Sequence, residues 1–349
     1  MTSTAKRAVI IGGGVVALAV ALFFLVLNKD GIDDVPIVGD VLGSDARCPL
    51  TSRDPARESV VDRPAVAIKI ENNPVAYPLS GLESAEVVYE EPVEGGLTRF
   101  MAIYHCTDSA QAGPVRSARI VDPPIVSPYT RILGAAGGNP TVRKALDDAD
   151  IITIDEIQAG SAMTRVERPG ISSEHTLYAS TTAVRKLGRK AFEDAPPDDL
   201  FAFGDLEPRG RKASSVTLTF SAGAVVRYDW NGRRWDRYDG DAALVNDVGE
   251  QISVDNVLIE EHTVNFSDTL GDVLGTPSPE IADVTGSGRA ILFRDGRMIS
   301  GRWSRESVDD PVRFETRSGD DLVLHPGTTW IELLPDATGE LKGSFSVTR

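Results

Sequence analysis

Residues 8–27 form an uninterrupted run of twenty residues without a charge, and the run also lacks Asn, Gln, Ser and Thr. A helix rises about 1.5 Å per residue, so such a run would cross the roughly 30 Å hydrocarbon core of a bilayer. Two basic residues directly precede it, whereas three aspartates follow it within seven positions. The positive-inside bias therefore predicts a single-pass protein with residues 1–7 in the cytoplasm and the bulk of the chain outside.

A cleaved signal peptide is the alternative interpretation of this run. Its apolar part would normally be shorter, and no Ala-x-Ala cleavage site lies just beyond Leu27. No cysteine lies directly behind the run, and Cys48 follows Asp45-Ala46-Arg47, which is not a lipidation signal. We therefore interpret residues 8–27 as an uncleaved signal anchor.

The composition is that of a folded protein with an acidic surface. Hydrophobic residues make up 41% and charged residues 25% of the chain, which is typical of globular domains. The formal net charge is −16, and general nucleic-acid binding needs a basic face that neutralises phosphates. The same charge disfavours lying flat on anionic lipid. A local basic pocket is still compatible with it.

Composition and periodicity divide the rest of the chain into four regions. Residues 28–62 are rich in Asp, Gly, Pro and Ser and are predicted to be an extracytoplasmic tether. Residues 63–195 alternate short apolar runs with helical patterns, which predicts an α/β sandwich domain with a mixed sheet. Residues 196–213 are rich in proline, glycine and charge and are predicted to be a linker. Residues 214–349 predict a β-rich domain, so the fold class is α+β or mixed.

Local patterns predict individual elements in both domains. In the first domain, strands are predicted at residues 65–70, 87–89, 100–104, 132–136 and 151–154. Asn139-Pro140 predicts the start of a helix that ends near Ala149, and a second helix is predicted from Ser180 or Thr181. In the second domain, strands are predicted at residues 216–220, 225–230, 234–238, 257–263, 290–293, 298–303, 312–316, 322–324 and 329–334. Asn231-Gly232 and Asp295-Gly296 predict hairpin turns, because two-residue turns favour positive φ at both central positions.

Several motifs occur in order along the chain. They are Asn72-Asn73-Pro74, Ser80-Gly81-Leu82, residues 94–100 (Glu-Gly-Gly-Leu-Thr-Arg-Phe), residues 113–119 (Gly-Pro-Val-Arg-Ser-Ala-Arg), residues 175–178, 293–296 and 301–303, and residues 326–331. In these motifs the chain resembles the YerB-like family of bacterial lipoproteins, from about Arg63 to Pro335. The resemblance implies an extracytoplasmic, membrane-tethered protein with an N-terminal and a C-terminal module. That family has no established activity, so it supplies no catalytic residues.

Arg116 and Arg119 are the strongest candidates for a ligand site. Two guanidinium groups three residues apart would suit a carboxylate, phosphate or sulfate. Gly137, Gly138 and Asn139 precede a predicted helix start, where free backbone N–H groups also attract anions. The alternative is that the two arginines pair with Glu90, Glu91, Glu94 or Asp122 and only fix the loops.

Catalysis is a second possibility, with Glu94, Glu156 and His175 as candidate acids and bases. Glu90 and Glu91 are adjacent in a predicted strand, so they should lie on opposite faces of the sheet and cannot serve one substrate together. His175 would need a nucleophile within hydrogen-bond reach, and no Gly-x-Ser-x-Gly or His-Glu-x-x-His motif is present. A structural histidine is the alternative.

The remaining reactive or aromatic residues have ordinary interpretations. Cys48 and Cys106 are candidates for a disulfide if the region is extracytoplasmic, and two buried thiols are the alternative. A metal site or cofactor is not expected, because neither cysteine has a nearby ligand partner. All four tryptophans lie after residue 214 and are interpreted as hairpin core residues.

Three functional hypotheses follow from these residues. The leading one is a binding module for a cell-envelope component that carries an anionic or carbohydrate group. The second is a hydrolase or transferase that acts on a cell-wall polymer. The third is a scaffold for an envelope protein, which would need an exposed apolar patch in the second domain.

Overall fold

The computed structural model describes residues 46–191, 195–198, 200–204, 210–271, 275–282, 284–308 and 310–349. One compact unit comprises Arg47–Arg349. The predicted cytoplasmic end and the membrane segment, residues 1–7 and 8–27, lie outside the described residues. Within the described ranges, no helix has both the length and the apolar character needed to span a bilayer.

The described residues form a strand-rich structure with short helices. The strands are β1 (Val66–Asn72), β2 (Val87–Pro92), β3 (Thr98–Tyr104), β4 (Ile132–Gly134), β5 (Ile152–Ile154), β6 (Met163–Arg165), β7 (Leu177–Ala179), β8 (Arg211–Lys212), β9 (Ser215–Ser221), β10 (Ala224–Trp230), β11 (Trp235–Asp239), β12 (Ala242–Ala243), β13 (Ser253–Val254), β14 (Asn256–His262), β15 (Val264–Ser267), β16 (Ser278–Ile281), β17 (Gly286–Arg294), β18 (Arg297–Arg305), β19 (Arg313–Thr316), β20 (Thr329–Pro335) and β21 (Ser344–Thr348). The α-helices are α1 (Asp122–Val126), α2 (Pro140–Asp148), α3 (Glu156–Ala159) and α4 (Thr181–Ala191). Single 3-10 turns lie at Glu58–Val60, Pro74–Ala76, Leu82–Ser84, Glu94–Gly96, Gly160–Ala162, Ser173–His175 and Asp268–Leu270. A mixed, sheet-rich α+β class with a β-rich C-terminal region is therefore confirmed.

One large mixed sheet organises the unit. Its spatial order is β19-β18-β17-β14-β20-β2-β3-β1-β4-β5, and β8 also pairs with β18. Strand β20 lies between β2 and β14 and runs parallel to both. Strands from the two predicted domains therefore share this sheet, and the domain limits at residues 195 and 214 stay a prediction.

Each face of the large sheet is covered by a separate apolar core. On one face, a second sheet of order β12-β11-β10-β9-β21, with β13 on β11, packs through Leu218, Phe220 and Tyr228 against Phe100 and Trp330. On the other face, helices α1 and α2 pack through residues such as Ile125 and Leu146. Trp235, Trp303 and Trp330 are buried, which confirms the core interpretation for these three tryptophans.

Helix ends follow the predicted capping. The Asn139 side chain accepts a hydrogen bond from the Thr141 N–H at 2.9 Å, and Pro140 occupies the first turn of α2. Asparagine at this position satisfies a backbone donor that the helix cannot. Helix α4 begins at Thr181, as predicted.

The two predicted hairpin turns differ. Asp295 and Gly296 have φ values of 51° and 66°, which confirms a two-residue turn between β17 and β18. Asn231 is not among the residues with positive φ, and four residues separate β10 from β11. The Asn231 side chain instead accepts hydrogen bonds from the N–H groups of Arg233 and Arg234, each at 2.9 Å. Its side chain therefore closes a longer loop than the dipeptide pattern suggested.

Two segments are more ordered, and one less regular, than the patterns suggested. The compact unit begins inside the predicted tether, where Leu50 and Val60 are buried. In the predicted linker, Arg211 and Lys212 form β8 on the large sheet. The strand predicted at residues 322–324 is wrong: only isolated bridges at Asp321 and Leu324 join this segment to its neighbours.

Candidate functional site

The candidate site lies where strands β1, β2 and β3 come together at one end of the large sheet. In the β1–β3 register Glu71 is opposite Arg99, and in the β2–β3 register Glu91 is opposite Arg99. Because side chains alternate along a strand, these three residues share the face that carries α1 and α2. Their neighbours Asn72, Glu90 and Thr98 point to the other face. The predicted separation of Glu90 and Glu91 is thus confirmed.

The segment that contains the predicted arginines is held against β1 by backbone hydrogen bonds. The Arg116 N–H donates to Lys69 O at 2.9 Å, and the Glu71 N–H donates to Pro114 O at 2.9 Å. On its other side, the Ala136 N–H donates to Arg116 O at 2.9 Å. The segment therefore fills the space between the ends of β1 and β4, which fixes the direction of the Arg116 side chain.

Three arginines line one open cavity of about 190 Å³ at this edge. They are Arg99, Arg116 and Arg119, and the carboxylates that line the same cavity are Glu71 and Glu94. The lining charges therefore leave one positive charge in excess. The polar residues Asn72, Asn73, Thr98 and Thr276 also line the cavity, although the side chains of Asn72 and Thr98 are bound to Glu90.

Arg119 forms a two-point ion pair with Glu94. Its Nε donates to Glu94 Oε2 at 3.1 Å, and its Nη2 donates to the same oxygen. Ser278 Oγ donates to Glu94 Oε1 at 2.8 Å. Burial by itself would raise the pKa of Glu94, but the charge and hydrogen bonds of Arg119 outweigh it and lower that pKa below its ordinary value.

Arg116 belongs to a second cluster with Glu71 and His175. Arg116 Nη2 lies 3.0 Å from Glu71 Oε1, and His175 Nδ1 lies 2.8 Å from Glu71 Oε2. Arg116 Nη2 is also 3.4 Å from His175 Nδ1. The Nε of Arg116 is buried and has no hydrogen-bond partner among the described residues. Arg116 thus keeps a donor that its protein neighbours do not use.

Arg99 is the arginine that the sequence interpretation missed. Its Nη1 donates to Ser117 O at 2.9 Å, and no carboxylate of the described residues lies within ion-pair distance of it. Burial lowers the pKa of Arg99 to about 10, and the positive charge of Arg119 adds to this effect. An arginine inside an otherwise apolar strand was the available signal, since Phe100, Met101, Ala102 and Ile103 follow it.

The predicted backbone anion site is not part of this cavity as the structure describes it. Residues 137–139 are absent from its described lining. Gly137 O accepts from the Ala118 N–H at 2.9 Å, and the Asn139 side chain caps α2. The turn therefore binds the backbone of the segment that contains Arg116 and Arg119.

The three candidate acid–base residues lie in different local arrangements. Glu94 is bound to Arg119 and Ser278, and His175 is bound to Glu71. Glu156 forms an exposed ion pair with Arg165, whose Nε donates to Glu156 Oε1 at 2.6 Å. Their use in catalysis stays a prediction.

Cys48 and Cys106 form a disulfide with a Cα–Cα separation of 6.1 Å. Glu86 lies beside it, and together these three residues form a compact set of potential metal ligands. Both sulfur atoms are bonded to each other, so they offer no thiolate in this state. The bond ties the start of the compact unit to the end of β3.

Two family models match the chain. Residues 50–194 match the "Protein of unknown function (DUF3048) N-terminal domain", and residues 216–331 match the C-terminal domain of the same name. Together they cover 261 of 349 residues. The chain belongs to the DUF3048 family.

A relative of this DUF3048 protein is "Putative lipoprotein YerB" from Bacillus subtilis (strain 168), which is 27% identical over 328 residues. The match covers 90% of this chain and 93% of that protein. The crystal structure of YerB from Bacillus subtilis matches with a TM-score of 0.71 at 24% identity. It covers 86% of this chain and all of the solved chain, so the two share a fold. The resemblance drawn from the motifs is confirmed.

Proposed function

We propose that this DUF3048 protein works outside the cytoplasm, tethered to the cell membrane, where it binds an anionic group of a cell-envelope component. The location is supported by the uncharged run at residues 8–27, by the disulfide and by a relative named as a lipoprotein. A protease added to intact cells should remove the region after residue 28. Protection of that region would contradict the location.

The observation that carries the binding proposal is the excess of guanidinium groups around one cavity. Arg116 and Arg119 are each matched by a carboxylate, whereas among the described residues Arg99 binds the Ser117 carbonyl and no carboxylate. A partly buried cation without a counter-charge stabilises an anion that reaches it, because charge-assisted hydrogen bonds are stronger there than in water.

The ligand class follows from the rest of the cavity wall. Asn73 and Thr276 add neutral polar side chains beside the arginines. A saccharide that carries a carboxylate or a phosphate would use both kinds of group. The cavity volume of about 190 Å³ suits one such residue of a longer polymer.

Arg99→Met is the sharpest test of this site. Replacing Arg116 would leave the buried Glu71 without its arginine partner, and replacing Arg119 would do the same to Glu94. Replacing Arg99 breaks no described ion pair, so it leaves no carboxylate without its cation. The matched control is Arg302→Met, which removes an exposed arginine of the second half. The full chain in detergent is titrated with glucuronate, inorganic phosphate and glucose by calorimetry.

We expect glucuronate and phosphate to bind the unaltered chain and the control equally. Arg99→Met should weaken both about tenfold or more, since a hydrogen bond to a charged group contributes roughly 1.5–3 kcal/mol. Higher salt should weaken the binding of glucuronate and phosphate to the unaltered chain, because it screens the attraction between the anion and the arginines. Equal affinity of Arg99→Met and the unaltered chain would refute the site, and equal affinity for glucose would refute the anionic ligand.

A further inference from the structure

A second cavity, walled by aromatic rings, lies on the same face of the large sheet as α1. Its aromatic lining consists of Tyr89, Tyr129, Phe201, Trp303 and Phe314. The cavity has a volume of about 40 Å³. On the same scale, a cavity that holds one water molecule needs roughly 10–15 Å³. The cavity therefore has room for a short chain of heavy atoms.

The floor of this cavity is polar because of the alternation along β14. Val257 and Ile259 pack toward the second sheet, whereas Leu258 packs on the opposite face. Glu260 and His262 lie two and four residues after Leu258, so their side chains point to the same face as that of Leu258. Both residues line the aromatic cavity. Both are nearly fully buried, with relative exposures of 2% and 5%.

A glycine on the neighbouring strand lets Trp303 cover this floor. A Cβ atom on Gly288 would lie 2.4 Å from Trp303 Nε1, so only glycine leaves room for the indole. Trp303 Nε1 donates to Glu261 O at 3.1 Å. The indole then stacks on the His262 ring, with 4.5 Å between ring centroids.

His262 binds only one of the two Glu260 oxygens. Its Nε2 lies 3.1 Å from Glu260 Oε2 and donates to it. Glu260 Oε1 is buried and has no hydrogen-bond partner among the described residues. Buried polar atoms are almost always hydrogen-bonded, so an acceptor left open in a cavity indicates a missing donor.

The other polar groups at the cavity are already engaged. Arg305 Nε donates to Ser307 O at 3.0 Å, and its Nη2 donates to Val308 O. No ion pair joins Arg305 to Glu260 within the described ranges. The Tyr89 and Tyr129 hydroxyls hydrogen-bond each other at 3.0 Å.

We propose that this cavity binds a primary ammonium group at the end of a short apolar chain. The ammonium donates to Glu260 Oε1, and its chain packs against the aromatic rings. A carboxylate makes its strongest hydrogen bonds with charged donors, and aromatic faces attract organic cations. This site is separate from the arginine cavity and does not depend on the proposed anion binding.

Fluorine NMR of the full chain, labelled with 5-fluorotryptophan, provides a direct test. The four tryptophans give four resonances, and Trp303→Phe identifies the one at the cavity. The probes are n-butylammonium, n-butanol and butyrate. We expect n-butylammonium alone to shift the Trp303 resonance while Trp230, Trp235 and Trp330 stay unchanged.

Two variants and one control separate a bound amine from other causes. Glu260→Gln should weaken n-butylammonium at least tenfold, while Glu261→Gln, whose carboxylate pairs with Arg289 outside the cavity, should not. Val312→Phe fills the cavity from its rim and should abolish binding without altering Glu260. Equal response to n-butanol, unchanged binding in Glu260→Gln or Val312→Phe, or no response to any probe would each overturn the proposal.

Discussion

Glu90 and Glu332 occupy opposed positions on the parallel strands β2 and β20, and both are fully buried. Arg237 Nη2 donates to Glu90 Oε2 at 2.6 Å, and Tyr228 OH donates to Glu332 Oε1. Burial raises the pKa of Glu90, and burial together with the charge of Glu90 raises the pKa of Glu332 well above its ordinary value. Burial and mutual repulsion therefore favour the protonated form of this pair, and one arginine from the second sheet is its only full counter-charge among the described residues.

Arg237→Met should strongly destabilise the protein, because it leaves a buried carboxylate pair without a cation. The expected loss is about 3–5 kcal/mol in the free energy of unfolding, measured by urea denaturation at pH 7. Glu332→Gln is the matched control, since an amide resembles the protonated acid, and it should cost roughly 1 kcal/mol or less. Equal losses for the two variants would contradict this account of the network.

Glu86→Gln should change how stability depends on pH. Burial raises the pKa of Glu86 from 4.5 to about 7, although the N–H groups of His105 and Cys106 donate to it. A raised folded-state pKa means that stability from this group is complete below about pH 4.5 and is lost as the pH rises to about 7.

Between pH 5 and pH 8 the unaltered chain should therefore lose roughly 2–3 kcal/mol that Glu86→Gln does not lose. Denaturant midpoints at four pH values, under non-reducing conditions, measure this difference. Glu58→Gln, a change at an exposed residue, serves as the control. Parallel pH profiles for the unaltered chain and Glu86→Gln would argue against a titrating Glu86.

Local patterns predicted most of the strands but not how they assemble. Alternation located β9 and β10, and Asp295-Gly296 located the hairpin of β17 and β18, because these signals are contained within a few residues. The parallel insertion of β20 between β2 and β14 leaves no such signal, since its partners are far apart in sequence. The sharing of one sheet by both family modules was therefore beyond prediction from pattern alone.

The candidate site was predicted in part for the same reason. Arg116 and Arg119 are close in sequence, so their placement at one cavity could be expected from the motif. Arg99 reaches the same cavity through the β1–β3 register, and Glu71 through its pairing with Arg116. Register and pairing depend on the tertiary fold. Asn139 carries a real helix-cap signal, and Gly137 contacts Ala118 in the segment that contains Arg116 and Arg119.

Loss of the disulfide should destabilise the chain without altering its fold. A bond between residues 58 apart restricts the unfolded chain, and the chain-entropy model gives about 4 kcal/mol for a loop of this size. Cys48→Ser together with Cys106→Ser should lower the free energy of unfolding by about that amount. A reductant should do the same to the unaltered chain and nothing to the double variant, and an effect of reductant on the double variant would contradict the assignment.

Lys69→Met should be among the most damaging single changes on the helix-bearing face. Lys69 is fully buried, and its Nζ donates to Glu91 and, at 2.7 Å, to Asp122. Burial raises the pKa of Glu91 to about 7 despite the charge of Lys69, so removing that charge would raise it further. At pH 8 the variant must either bury both carboxylates charged without their cation or take up a proton at Glu91, and we expect a loss of about 3–5 kcal/mol.

The loss in Lys69→Met should shrink toward pH 5, because a protonated Glu91 no longer needs a counter-charge. The sign follows from the raised pKa: the folded state holds this proton more tightly, so stability falls as the pH rises above 4.5. Lys144→Met is the matched control, since Lys144 forms an exposed pair with Asp148 one helical turn away and should cost well under 1 kcal/mol at either pH. Urea denaturation of both variants at pH 5 and pH 8 tests the difference. A pH-independent loss in Lys69→Met, or a loss equal to that of Lys144→Met, would show that the buried lysine does not balance the two carboxylates.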